Sequence, residues 1–201
     1  MSILNVFTGP DIVLLGCDTE ADFEDGTRAN LTKSLVIPHL NAVIGFRGRS
    51  FMFLCVVPAF LGHAGTFDEL AIRMPELINQ ASDYCLENLS TPSNELGANF
   101  VLSGYSPDAG HMVTHSFVRL PSGEIKTDLD VREFISPDFG ASEIPKGIRA
   151  DKNGMIMLAR HQAHLVRERG HTDCQAGGKF LITEIRARGI FIEAAFDFPP
   201  R

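Results

Sequence analysis

Ser2-Ile3-Leu4-Asn5-Val6-Phe7, Asp11-Ile12-Val13-Leu14-Leu15-Gly16-Cys17-Asp18, Lys33-Ser34-Leu35-Val36-Ile37 and Ala42-Val43-Ile44-Gly45-Phe46-Arg47-Gly48 are the four pieces of the first 48 residues that decide how the chain is read. Each is a short apolar run of strand length. The turn chemistry of Thr8-Gly9-Pro10 between the first two marks a hairpin. An antiparallel hairpin returns the chain beside its start, so Asp18 comes back next to Ser2 across sixteen positions of sequence. Only Met1 precedes Ser2, and a small second residue is what methionine aminopeptidases accept, so trimming is expected to free the Ser2 amine.

The remaining composition narrows the class. A chain of 201 residues without a low-complexity linker is expected to be one domain, residues 1–201, with a substantial core. Net charge −7 and the absence of Lys/Arg runs argue against nucleic-acid binding, which needs a basic surface. No apolar run approaches the ~18 residues of a membrane span, and no signal-peptide pattern opens the chain, so a cytoplasmic protein is expected. Cys17, Cys55, Cys85 and Cys174 form no CxxC pair, as expected of reduced, buried thiols.

Beyond Gly48 the pattern predicts a helix over Ser50–Leu61, limited by Pro58. A second helix starts at Thr66 with a Thr-x-x-Glu capping box and carries Leu70, Met74, Leu77, Ile78, Ala81 and Cys85 on one face, with Pro75 an awkward interior residue. Strands follow at Ala98–Tyr105 and His111–Val118, then irregular chain with short strands over residues 124–150. A third helix is expected from Gly154 to Arg169, with Asn153 as cap and Ile156, Ala159, Ala163 and Val166 facing inward. Lys179–Ile185 and Ile190–Phe196 close the chain as strands. Hairpins separated by helices suit an α+β, four-layer αββα fold, two antiparallel sheets stacked face to face and covered by helices.

The order of a second-position Ser, Asp18, Lys33 and the Gly45-Phe46-Arg47-Gly48 turn resembles the proteasome-like N-terminal-nucleophile (Ntn) hydrolases. The lysine-to-glycine spacing is very similar to that of the bacterial proteasome-type peptidase that partners an unfoldase ATPase. Asp173-Cys174-Gln175-Ala176-Gly177-Gly178 resembles the family's second motif, and Gly104-Tyr105 its central strand end. The resemblance implies the αββα fold, a peptide or amide substrate, no cofactor and no metal. It also implies a homo-oligomer, ring-forming in the family, and an ATPase partner.

An N-terminal serine supplies nucleophile and base in one residue, its hydroxyl attacking while its α-amine takes the proton. The amine suits this because its reference pKa is ~8 against ~10.4 for lysine. By resemblance Lys33 is the cation beside the hydroxyl, Asp18 its carboxylate, Gly48 N–H the oxyanion donor, and Asp173 a further catalytic residue. Glu20, Arg47 and Arg49 border this set and are candidate substrate contacts.

These three also depart from the family: Glu20 stands where arginine is usual, and Arg47 and Arg49 flank a glycine normally beside small residues. Ala176 replaces serine, and no Ser-Gly-Ser-Gly segment occurs over residues 124–150. The alternative is therefore a catalytically silent proteasome-like structural or assembly subunit. A separate histidine set, His161, His164 and His171 with Asp173, lacks HExxH spacing and is read as a polar helix face rather than a metal site. His111 and His115 are read as sheet-surface residues without an evident acid partner.

Overall fold

The computed structural model describes residues 2–22, 27–54, 64–89, 91–92, 95–140, 142–169 and 176–199. It is a mixed α/β structure of antiparallel sheets and few helices. Its first half contains β1 (Leu4–Thr8), β2 (Ile12–Asp18), β3 (Glu20–Asp22), β4 (Arg28–Asn30), β5 (Ser34–Ile37), β6 (Ala42–Arg47) and α1 (Phe67–Asn88). The second half contains β7 (Ala98–Ser106), β8 (His111–Arg119), β9 (Ile125–Asp128), β10 (Glu133–Ser136), α2 (Lys152–Glu168), β11 (Lys179–Arg186) and β12 (Gly189–Asp197).

One five-stranded sheet runs β10-β1-β2-β11-β12, a second runs β5-β6-β7-β8-β9, and β3-β4 forms a small hairpin. Three apolar clusters join these elements. Leu4, Val6 and Leu15 of the first sheet meet Val43, Val101 and Met112 of the second. Leu70, Met74, Leu77 and Ile78 of α1 pack with Ile44, Phe100, Leu102 and Phe117 of the second sheet. Met155, Leu158 and Ala159 of α2 pack with Ile3, Phe7, Leu14 and Phe180 of the first. Each fully buried large side chain contributes about 1.5–3 kcal/mol, so the helix faces add to what holds each sheet in place. A buried hydroxyl relay also joins the sheets. Thr8 of β1 donates to Thr114 of β8 at 2.8 Å, and Thr114 lies 2.9 Å from Ser103 of β7.

The Thr66 cap forms with both halves of its box, and the predicted α1 face is buried. The helix continues through Pro75, whose missing N–H leaves Ala71's carbonyl on a half-buried turn. Two expectations for α2 need correction. Its cap is Asp151, which accepts from Gly154 N at 2.8 Å, and not Asn153, which lies inside the helix. Of the expected inward face, Ala159, Ala163 and Val166 are buried and Ile156 is only half so, while Met155, Leu158 and Gln162 are buried beside them. Residues 50–54 are helical, and the rest of the helix expected up to Leu61 falls largely outside the described residues. No helix among the described residues is long and apolar enough to cross a membrane.

Candidate active site

The β1–β2 hairpin pairs Leu4 with Cys17, which sets Ile3 opposite Asp18 at the open end. The Asp18 carboxylate then accepts from Ile3 N at 2.9 Å and from Gly177 N at 3.4 Å. Lys33, just before β5, reaches into the same point. Its ammonium donates to Asp18 Oδ2 at 2.9 Å, to Ser2 Oγ at 2.6 Å and to the Glu20 carbonyl. Three oxygens thus surround the Lys33 nitrogen, as many as an ammonium has protons to donate.

The set is deep. Asp18 is wholly buried, and Ser2 and Lys33 each keep 6% of their surface. Burial pushes the Asp18 carboxyl up from its usual value, and the Lys33 ammonium and the Ile3 and Gly177 amides pull the other way. The neighbouring Cys17 thiol is pushed up to about 12, first by burial and then by Asp18.

A cleft of about 720 Å³ is lined by Ser2, Glu20, Lys33, Arg47, Gly48 and Arg49 together with residues 97–99 and 118–121. Gly48 has no room for a side chain, since a Cβ there would lie 2.8 Å from the Phe46 ring and 3.0 Å from Ala98. Gly48 lines the same cleft as Ser2.

The three candidate substrate contacts all bind protein groups. Arg47 donates from Nε to the Ser2 carbonyl at 2.7 Å and from Nη1 to Ser136 Oγ at 2.8 Å. Arg49 pairs with Glu95 at 2.7 Å on the rim. Glu20 lies 3.6 Å from Arg28, and its carboxylate occupies the space that a Cβ on Gly177 would take.

Asp173 lies outside the described residues, as do His171 and Cys174. From that motif the structure places Ala176, Gly177 and Gly178. Gly177's carbonyl accepts from Glu20 N at 3.1 Å, and Gly178 takes φ +68°. Among the described residues no cluster of His, Cys, Asp and Glu could hold a metal ion. His161 Nε2 donates to the Glu143 carbonyl, and His164 faces Glu168 at 3.2 Å. His115 is half-buried, 5.5 Å from the Phe67 ring, with Asp68 and Asp130 near enough to act on it. That differs from the open sheet surface the alternation predicts.

Sequence reasoning misses the supports. Asn99 Nδ2 donates to Ser136 Oγ at 2.9 Å, and Ser136 N donates to Asn5 Oδ1 at 3.3 Å. On the other side, Thr19 Oγ1 donates to Asn30 at 2.8 Å and accepts from Lys179 N at 2.9 Å. Ser136 sits in the stretch with no periodicity, and nothing there signals a partner 131 residues away.

No protein-family model matches the sequence, and no curated protein does. Solved structures do. An Anbu (Gly-1) mutant from Hyphomicrobium sp. strain MC1 is 14% identical, covering 98% of this chain and 89% of its own, at TM-score 0.61. Anbu, described as an ancestral beta-subunit, from Yersinia bercovieri is 10% identical, covering 97% and 88%, at TM-score 0.66. Along nearly its whole length, then, the chain has the proteasome-like fold of Anbu.

Proposed function

We propose that the protein is a proteasome-like N-terminal-nucleophile hydrolase that cleaves peptide or amide bonds through Ser2 once Met1 is removed. The observation that carries this reading is Ser2 Oγ at 2.6 Å from Lys33 Nζ, with Asp18 at 2.9 Å behind it, at the floor of an open cleft. The three core clusters support reading the fold as a four-layer αββα sandwich in one domain.

In the mechanism, Ser2 Oγ attacks the substrate carbonyl carbon and its proton passes to the Ser2 α-amine, directly or through a water. Lys33 stabilises the developing negative charge on Oγ. Asp18 keeps the ammonium in place and neutral as a pair. The tetrahedral oxyanion is bound by the Gly48 N–H. Collapse of the intermediate breaks the C–N bond, and the proton held by the α-amine moves to the leaving nitrogen. Water then attacks the Ser2 ester, releasing the acid and restoring the hydroxyl. Asp173 belongs to this set by resemblance. Because one similar structure is described as a beta-subunit, we read the chain as the subunit of a cytoplasmic homo-oligomer, with a ring and an ATPase partner as part of the same proposal.

The second reading, a silent proteasome-like subunit, draws on the low exposure of Ser2 and on the arginine turned onto its carbonyl. One experiment separates the two. Intact mass shows whether Met1 is gone, and turnover of fluorogenic peptides is compared for the wild type and Ser2→Ala in the same assembly state. Loss of turnover in Ser2→Ala is expected. Retained Met1, or turnover that survives the substitution, overturns the hydrolase reading.

A further inference from the structure

We propose that Arg47 is a positioning residue: it clamps the main-chain carbonyl of Ser2 and thereby holds the serine hydroxyl against Lys33. The functional consequence rests on reading Ser2 as the nucleophile, but the clamp itself is a matter of geometry.

Ser2 lies outside the strand ladder, because β1 begins at Leu4 and its first register partner is Cys17. A residue beyond the ladder needs another support if its side chain is to keep one direction. Arg47 provides it at the end of β6, where Nε donates to the Ser2 carbonyl at 2.7 Å. The guanidinium is itself held. Nη1 donates to Ser136 Oγ at 2.8 Å, and that hydroxyl also accepts from Asn99, the register partner of Arg47 on β7. Ser136 belongs to β10 in the other sheet. The clamp therefore ties both sheets to the one residue that needs aiming.

A planar guanidinium presents its donors at fixed angles, so two acceptors fix its orientation. A lysine at this position would keep the charge and lose the fork. The charge has its own effect, because the Ser2 carbonyl oxygen is only three covalent bonds from the α-amine. A cation there favours the neutral, proton-accepting amine.

The test uses the full chain as wild type, Arg47→Ala and Arg47→Lys, with two readouts. The first is hydrogen exchange of the Ile3 amide, with Ile44 as an internal control. The second is the rate and pH profile of Ser2 modification by a small sulfonyl fluoride, located by mass. In Arg47→Ala we expect Ile3 exchange to rise at least about tenfold with Ile44 unchanged. Modification at saturating reagent should slow at least about tenfold, the scale of a small misplacement, and the midpoint of its pH profile should move up by about half a unit or more. Arg47→Lys should bring the midpoint back but not the rate. A residue that only stabilised the fold would not separate the two. If Arg47→Ala also exposes Ile44, the comparison is made on Arg47→Lys alone, where Ile3 should still exchange faster than in the wild type. Unchanged Ile3 exchange in a variant with Ile44 intact overturns the clamp. A wild type that is not modified at Ser2 overturns the nucleophile reading instead, and Ile3 exchange still decides the clamp.

Discussion

Replacing Lys33 with methionine tests the buried pair most directly. Lys33 keeps 6% of its surface and Asp18 none, and Met fills the space of the lysine stem. The substitution removes a 2.9 Å ion pair and leaves Asp18 with only the Ile3 and Gly177 amides. Breaking such a pair from one side costs about 3–5 kcal/mol, because the remaining charge is buried without compensation. Asp18→Asn should cost a comparable amount. The double variant Lys33→Met/Asp18→Asn leaves no buried charge, so its loss should fall short of the sum of the single losses by at least about 2 kcal/mol. Urea unfolding at pH 7 measures all four proteins. The deficit of Lys33→Met should also shrink on acidification. Without its cation the Asp18 carboxyl stays above its unfolded value, so the stabilisation from protonating it is full below about pH 4 and is lost as pH rises through the folded value. A Lys33→Met loss under about 1 kcal/mol, or losses that add in the double variant, would refute the buried pair as the organiser of the site.

Two further outcomes follow from local geometry. Asp151→Ala should cost about 0.5–2 kcal/mol as a lost N-cap, while Asn153→Ala, at an exposed position inside α2, should change urea stability by less than about 0.5 kcal/mol. Equal effects would restore Asn153 as the cap. Cys17, whose thiol is pushed up to about 12, should resist a disulfide reagent in the native protein at pH 8 and react after denaturation, as read by peptide mapping. Because its folded value lies above the unfolded one of about 8.5, its contribution to stability is full below that value and is lost as pH rises towards about 12.

What could be read in the sequence was what local periodicity dictates. The β1–β2 hairpin, the Thr66 box and the α1 face each depend on residues a few positions apart. The α2 error has the same origin. Both Asp151 and Asn153 are good capping residues, and Ile156 and Met155 both lie within one turn of Ala159, so the spacing of Ala159, Ala163 and Val166 accommodates either at the edge of the face. Nothing local separates the two candidates. Asp151 becomes the cap because its carboxylate bonds Gly154 N and because Met155 then meets the first sheet.

The site divides along the same line. The meeting of Ser2 and Asp18 was legible because a hairpin forces them together, whereas Lys33 was named from the resemblance and is brought to them by the segment leading into β5. The residues holding Ser2 from the other side were not legible, because Ser136 reaches it only through the pairing of β10 with β1. That asymmetry bears on Arg47, which from sequence alone is a charge beside a glycine turn and so a candidate substrate contact. In the fold, two of its donors go to the Ser2 carbonyl and to Ser136 of the opposite sheet, which also accepts from Asn99. An arginine read from the sequence as a contact for something outside the chain is, in the fold, a bridge between the chain segment at Ser2 and Ser136 of β10.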